Sequence, residues 1–195
     1  LGFITGMVKD GSGSPYASAL TTSSTCSLVD LTAADGKYLI AGTVSEFTAQ
    51  ASDIYKNDTG TATGTITSAN GAITTNLVIQ VTPPRVVSIT PADNSTGIET
   101  NASIIITFSE AVDKTTITSA NIVLKDADNK VLEGVFSINP ENTVVTFYPS
   151  ALLNSETQYS LTVTHSIRDL QGYLMGTDVT STFTVKDTTP PPMPQ

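Results

Sequence analysis

Apolar and polar residues alternate one by one in several short runs of this chain. The apolar members of these runs are Phe47, Ala49 and Ala51; Leu77, Ile79 and Val81; Tyr159, Leu161 and Val163; and Phe183 and Val185. A period of two residues is that of a β-strand, whose successive side chains point to opposite faces, whereas an amphipathic helix needs a period of about 3.6. The pattern therefore predicts strands that bury one face and expose the other.

Turn-forming segments lie between these runs. Asp10–Gly13, Ala34–Gly36 and Ala69–Gly71 each contain a Gly or Asn that can take the positive φ of a tight turn. Ser and Thr supply about a quarter of the chain and charged residues only 14%, a composition that favours strands and solvated loops over helices. We therefore predict an all-β fold of antiparallel β-sandwiches.

Consecutive prolines divide the chain. Pro83 opens one pair, and Pro190 opens a second run 190 − 83 = 107 residues later. Consecutive prolines hold a stiff, extended backbone that is typical of interdomain spacers, and the interval is close to the length of one sandwich domain. We predict one sandwich at residues 1–82, a second at residues 83–187, and a proline-rich linker at residues 188–195 that leads to a further domain.

Four segments of the first predicted domain carry a family resemblance. They are Gly6–Asp10, Gly13–Pro15, Thr32–Tyr38 and Phe47–Ser52. In this order they resemble the carboxypeptidase regulatory-like domain, a transthyretin-like or prealbumin-like sandwich. The resemblance covers most of residues 3–82, and it implies a noncatalytic accessory or spacer domain.

The second predicted domain contains the spacing of a tyrosine corner. In Leu153–Tyr159, a tyrosine early in a strand can return its hydroxyl to the backbone just upstream, which indicates a Greek-key sandwich. Further segments are Val87–Asp93, Ile104–Asp113, Tyr159–Val163 and Ile167–Gly172. Together they resemble the bacterial Ig-like domain of surface-layer proteins and other large exported bacterial proteins. The resemblance implies an extracellular or cell-envelope location and a structural or adhesive role.

The chain lacks the residues that several classes of function require. His165 is the only imidazole, and no Gly-x-Ser-x-Gly elbow accompanies it, so we expect no enzymatic activity. Its place at the end of an alternating run predicts a histidine at the rim of the core.

Cys26 is the only cysteine, which excludes an internal disulfide and a zinc site. The net charge of −9 disfavours nucleic acid, and no apolar run approaches the roughly 20 residues that cross a bilayer, so we expect no membrane insertion.

Calcium is the one cofactor that the sequence raises. Asp126, Asp128 and Asn129 place three side-chain oxygens within four residues, and calcium prefers oxygen ligands. The chain has no complete Asp-x-Asp-x-Asp-Gly loop, however, and Asp-Asn is equally good chemistry for a hairpin turn. Both the calcium site and the plain turn stay open, and we expect no other cofactor.

Sugar binding usually requires exposed aromatic rings together with polar groups that fix the orientation of the ligand. The chain has no Trp, and most of its Phe and Tyr residues fall at predicted core positions. Tyr16, Tyr55 and Tyr173 lie near predicted loops and are the candidate platform for a saccharide. The alternative is that they are isolated surface tyrosines.

These observations predict a noncatalytic structural spacer or stalk segment of a large exported bacterial cell-surface protein. The alternative is an adhesive or carbohydrate-binding accessory module of a secreted multidomain protein. The expected partners are the neighbouring domains of the same chain and, for the alternative, a polysaccharide or another cell-surface protein. Fold resemblance alone does not separate the two functions.

Overall fold

The computed structural model describes residues 1–54, 56 and 58–189. These residues form β-strands, turns and one short 3-10 helix, Lys114–Thr116, so the predicted all-β fold of tandem sandwiches is confirmed. The chain divides into two compact units, Leu1–Thr82 and Pro83–Gln195. Among the described residues, no helix is long and apolar enough to span a membrane.

The first unit contains eight strands in two sheets. They are β1 (Gly2–Asp10), β2 (Ala19–Ser23), β3 (Cys26–Leu31), β4 (Lys37–Gly42), β5 (Glu46–Asp53), β6 (Thr59–Thr65), β7 (Ala72–Thr74) and β8 (Leu77–Ile79). One sheet has the order β4-β1-β7, with β8 also paired to β1, and the other has the order β3-β2-β5-β6.

Most pairs in the first unit are antiparallel, but β7 and β8 run parallel to β1. Strand β1 is nine residues long, and it pairs with β7 near Phe3 and with β8 near Val8. The expectation of purely antiparallel sheets is therefore corrected here. Alternation could not distinguish the two directions, because a parallel and an antiparallel strand share the same period of two.

The alternating runs supply the core of the first unit. Phe47, Ala49 and Ala51 of β5 are buried, and Leu77 and Ile79 of β8 are fully buried. The residues between them on β5 are polar and mostly exposed. Burying apolar side chains from one face of each sheet is the main favourable contribution to such a sandwich.

Two glycines of the first unit occupy positions that a side chain could not share. A Cβ atom at Gly60 on β6 would lie 2.0 Å from the carbonyl oxygen of Val78, so the glycine permits the close approach of β6 and β8. Gly36 has a φ of +71°, and a Cβ there would lie 2.5 Å from the carbonyl oxygen of Val8. The turn before β4 therefore requires glycine for both its backbone conformation and its space.

The second unit contains eight further strands. They are β9 (Val86–Thr90), β10 (Ser95–Ile98), β11 (Ile104–Phe108), β12 (Ile122–Lys125), β13 (Gly134–Ile138), β14 (Val144–Pro149), β15 (Gln158–Val163) and β16 (Val179–Val185). The sheets have the orders β10-β16-β15-β12 and β13-β14-β11-β9. The chain crosses repeatedly between the two sheets, and only the pair of β10 with β16 is parallel among the described strands of this unit.

The tyrosine corner is confirmed in the second unit. The Tyr159 ring is buried, stacks against Phe183 with ring centroids 5.6 Å apart, and its hydroxyl accepts the backbone amide of Asn154 at 2.8 Å. The core around it comes from both sheets, with Ile104, Ile106, Leu124, Val145, Phe147, Leu161 and Val163 among its buried members. Of the linker predicted at residues 188–195, residues 190–195 lie outside the described part of the chain.

Candidate functional site

His165 lies on the surface and not at the rim of the core. Its side chain is 58% exposed, and its Nδ1 lies 2.7 Å from Oδ1 of Asp178, which also accepts the backbone amide of His165 at 2.8 Å. These hydrogen bonds, the backbone one first, lower the pKa of the Asp178 carboxyl. The prediction of a rim position was wrong because β15 ends at Val163, so its alternation does not extend to residue 165.

The predicted calcium residues form a tight turn after β12. Oδ1 of Asp126 accepts the amides of Asp128 at 3.0 Å and of Lys130 at 2.9 Å. Asn129 has a φ of +63° and donates its amide to the Asp126 carbonyl at 3.0 Å. One carboxylate oxygen of Asp126 therefore holds the backbone of the turn, as the hairpin alternative requires.

The same turn occurs at two other aspartates. The Oδ1 atoms of Asp10 and Asp169 also accept the amides two and four residues later, and these four distances are each 2.9 Å. The residue three positions later again has a positive φ, +89° at Gly13 and +96° at Gly172. Asp-x-x-Gly/Asn is therefore a recurring turn signal in this chain, in which the carboxylate accepts backbone amides.

Little is left at the Asp126 turn to hold a metal ion. Within the part of the chain that the structure describes, no three His, Cys, Asp or Glu side chains group together where they could bind one. Asp128 and Asn129 are exposed and Asp126 is half-buried, so the structure brings the three together on one turn and adds no third acidic ligand from the described residues. Calcium binding at this turn stays a prediction.

The three tyrosines predicted to form a saccharide platform differ in their exposure and in whether the structure describes them. Tyr16 is 5% exposed, and its hydroxyl donates to Asp53, so its ring has no face to offer to a ligand; this prediction is corrected. The sequence could not show this burial, because Tyr16 follows a turn rather than an alternating run. Tyr55 lies outside the described residues. Tyr173 is half-buried on the Asp169 turn, where its amide donates to the aspartate, and its part in a platform stays a prediction.

Sequence reasoning missed the most exposed of the tyrosines on a strand. Tyr148 of β14 is 48% exposed, while its neighbours Val145 and Phe147 point into the core. The alternation along β14 could have predicted this exposure. Val145 and Phe147 lie on one face of the strand, so Tyr148 must lie on the other. Tyr148 borders a depression of about 270 Å³ formed with Thr100–Ser103 and Ser150–Leu152.

Two other depressions differ from this one in charge. One in the first unit, of about 370 Å³, is lined by Ser24, Thr48, Thr63 and Thr65 together with the carboxylate of Glu46. One in the second unit, of about 290 Å³, includes three charged residues, Asp126, Lys130 and Glu133. The depression at Tyr148 contains no charged residue, but it adjoins the charged depression of the second unit, because Ser150, Ala151 and Leu152 line both.

The comparison with known families decides the identity of the second unit. The bacterial Ig-like domain matches residues 80–185, more than half of the chain. This chain belongs to the bacterial Ig-like domain family. The match leaves the first unit almost entirely outside, so the resemblance of residues 3–82 to a carboxypeptidase regulatory-like domain stays a prediction. No curated protein sequence matches the chain.

Several solved structures show a partial likeness to this Ig-like chain. The bacterial S-layer protein SbsC is 20% identical over 56% of this chain, with a TM-score of 0.43, and this chain covers only 14% of that structure. CopC from Methylosinus trichosporium OB3b is 14% identical over 55% of this chain and 97% of its own length, with a TM-score of 0.41. L,D-transpeptidase 1 from Mycobacterium tuberculosis is 19% identical over 53% of this chain and 40% of its own, with a TM-score of 0.35. At such scores the family match, and not these likenesses, carries the identification.

Proposed function

We propose that this Ig-like chain is a noncatalytic structural spacer in a large exported bacterial cell-surface protein. The observation that carries the proposal is the family match over residues 80–185 to the bacterial Ig-like domain. A second support is that each unit has its own apolar core: Phe47 and Leu77 lie in the first, Phe147 and Tyr159 in the second. A unit with its own core can fold between other domains of a longer protein without requiring a ligand.

The surroundings of His165 support a noncatalytic role. Nucleophilic catalysis needs a hydroxyl or thiol within hydrogen-bond reach of a base that a third group orients. Asp178 orients the His165 ring, but no Ser, Thr or Cys side chain hydrogen-bonds to that ring within residues 1–54, 56 and 58–189. The exposed pair therefore lacks the group that would attack a substrate.

The Asp-x-x-Gly/Asn turns also suit a module that must remain folded outside the cell. Each satisfies several backbone groups with one carboxylate, and two of the three carboxylates, Asp10 and Asp169, are buried. A buried acceptor that meets two amides is protected from competition with water. The hairpins are thereby fixed without disulfides, which the single cysteine could not supply.

A replacement experiment in the parent protein tests the spacer role. An epitope tag is placed on either side of this segment, and three forms are compared on cells: the native protein, a deletion of residues 1–187, and a replacement of these residues by two unrelated β-sandwiches of the same total length. The readouts are antibody access to the tag and its release by protease from intact cells. A spacer predicts that deletion reduces antibody access and that the unrelated sandwiches restore it.

Two results would contradict the proposal. If the tag resists protease on intact cells while lysed cells lose it, the segment does not lie on the surface. If the unrelated sandwiches reach the surface in equal amount but fail to restore the native behaviour, then a particular surface of this chain is required, and length alone is not its contribution.

A further inference from the structure

We propose that the depression beside Tyr148 binds a neutral saccharide unit, a function that goes beyond the structural role. We call it the Tyr148 site and define it by Thr100, Asn101, Ser103, Tyr148, Ser150 and Leu152. These residues come from the loop before β11, the end of β14 and the loop that follows β14. The site lies wholly within the second unit.

The absence of charge selects the class of ligand. The chain carries 9 + 18 = 27 charged side chains, yet none lines the Tyr148 site. The charged residues Asp126, Lys130 and Glu133 line the adjoining depression, which shares Ser150–Leu152 with the site. An anionic ligand would lose water here, and the two acids of the adjoining depression, Asp126 and Glu133, outnumber its one cation, Lys130, so the loss of water would not be offset. An uncharged ligand with many hydroxyl groups meets no such penalty, so a neutral saccharide fits where an anionic one does not.

The polar side chains of the site are available to a ligand. Thr100, Asn101, Ser103, Tyr148 and Ser150 together carry four hydroxyls and one amide, the groups that donate to and accept from sugar hydroxyls. Within residues 1–54, 56 and 58–189, none of these five side chains makes a hydrogen bond to the protein. Elsewhere on this chain, polar side chains in turns, such as the three turn aspartates, are occupied by backbone amides.

The backbone that presents these groups is nevertheless fixed. The amide of Leu153 donates to the Thr100 carbonyl at 2.8 Å, which joins the two loops to each other. The amide of Ser150 donates to the Glu133 carbonyl at 2.9 Å, which ties the second loop to the start of β13. A site held in this way loses little conformational entropy when a ligand binds, so modest contacts suffice for measurable affinity.

The apolar part of the site offers an exposed aromatic residue and an exposed leucine. Tyr148 is 48% exposed on the outer face of its sheet, and Leu152, which also lines the depression, is 70% exposed. Aromatic rings pack against the C–H faces of sugars while nearby polar groups fix the orientation. A volume of about 270 Å³ lies just below the usual range of small-molecule pockets, so the site suits a single sugar unit and not a folded protein segment.

The sheet beyond the site has room for a longer polymer. On the outer face of the β13-β14-β11-β9 sheet, Val135 lies opposite Tyr148, and Ser137, Thr146 and Ile105 form the next row across the strands. This face, like the site, presents uncharged side chains in these rows. An extended neutral polysaccharide could therefore cross the sheet with one unit seated at Tyr148.

NMR titration of the full chain tests the proposal. The ¹⁵N-labelled protein is titrated with cellopentaose, mannopentaose and chitotetraose, and with trigalacturonate as the anionic comparison. We expect saturable shifts with at least one neutral oligosaccharide, confined to residues 100–103 and 148–152, and none with trigalacturonate. Tyr148→Ala should weaken binding by at least about tenfold, while Tyr148→Phe, which keeps the ring, should remain within about threefold.

The controls separate binding from folding. Leu170→Ala removes a similarly exposed apolar side chain of the same unit away from the site, and it should leave the affinity unchanged. Every variant must first give the native spectrum without ligand. The proposal is overturned if no neutral oligosaccharide gives saturable shifts, if the shifts lie elsewhere, if Tyr148→Ala binds as the native chain does, or if the same residues shift with protein concentration alone because two copies associate. None of these outcomes affects the spacer test, which uses unrelated sandwiches of equal length.

Discussion

At the scale of single residues, the hydroxyl of Tyr159 fixes the loop that leads into β15. It accepts the Asn154 amide at 2.8 Å from a ring that is 2% exposed. Tyr159→Phe removes this acceptor, so we expect the free energy of unfolding of the second unit to fall by about 1 kcal/mol. Urea unfolding followed by circular dichroism measures the change. Tyr148→Phe is the matched control, because its hydroxyl has no partner among the described residues; equal losses in the two variants would contradict the tyrosine corner.

Tyr38 makes stability depend on alkaline pH. Its hydroxyl donates to the Thr75 carbonyl at 2.5 Å, and burial raises its pKa to about 12, whereas a tyrosine in an unfolded chain titrates near about 10. Since the folded chain keeps a proton that the unfolded chain loses, the contribution of Tyr38 is complete below about pH 10 and is lost as the pH rises toward about 12.

The substitution Tyr38→Phe isolates this contribution. The hydrogen bond is lost, so the variant should be less stable than the native chain at neutral pH by about 1 kcal/mol. That difference should shrink between about pH 9.5 and about pH 11.5, because only the native chain has the titrating group. Chemical unfolding of both proteins across this range provides the measurement, and a constant difference would show that Tyr38 ionises as easily in the folded chain as in the unfolded one.

At the scale of elements, the Asp-x-x-Gly/Asn turn gives Asp10, Asp126 and Asp169 the same structural role. Asp126→Ala removes an oxygen that accepts two backbone amides and should lower the free energy of unfolding by about 1 kcal/mol, whereas Asp126→Asn keeps an acceptor and should cost less. Asp169→Ala should lower the free energy of unfolding more than Asp126→Ala does, because Asp169 is only 1% exposed and its loss removes the acceptor of two backbone amides. Thermal unfolding of the three variants measures this order.

The same variants separate the turn from a metal site. If Asp126 acts only through the turn, the melting temperatures of the native chain and of Asp126→Asn should respond alike to millimolar calcium and to chelator. If calcium raises the melting temperature of the native chain but not that of Asp126→Asn, Asp126 is instead a ligand of a bound ion.

Much of this fold could be predicted from alternation and turn chemistry. Phe47, Leu77 and Tyr159 are buried at the parity that the sequence indicates, and Gly36 and Asn70 take the positive φ that their turns require. The parallel pairing of β7 and β8 with β1 could not be predicted, because strand direction depends on contacts between distant segments.

The candidate site was harder to predict than the fold. Tyr16 was expected at the surface, yet it is buried against Asp53, and Tyr148 was overlooked although the parity of β14 places it outward. The Tyr148 site also combines two loops that are about fifty residues apart in the sequence, so no local pattern contains it. The sequence pattern indicates which side chains point away from the core. Which of those side chains lie next to one another depends on the topology.

At the scale of the whole molecule, each unit encloses its own core. Phe47 of the first unit and Phe147 of the second are both 3% exposed, and Phe-to-Ala substitution in a core costs about 3–5 kcal/mol. We expect calorimetry of the native chain to resolve two unfolding transitions. Phe47→Ala should lower the temperature of one transition, and Phe147→Ala should lower the temperature of the other. A single transition whose temperature both substitutions lower equally would show that the units unfold together.

The coding sequence on both sides of this chain tests the central claim most directly. A spacer in a surface protein predicts that translation reveals further β-sandwich domains joined by proline-rich segments, together with a signal that retains the protein at the cell envelope. A catalytic domain next to this chain, with no further sandwiches and no envelope signal, would contradict the spacer role and make these two units accessories of an enzyme.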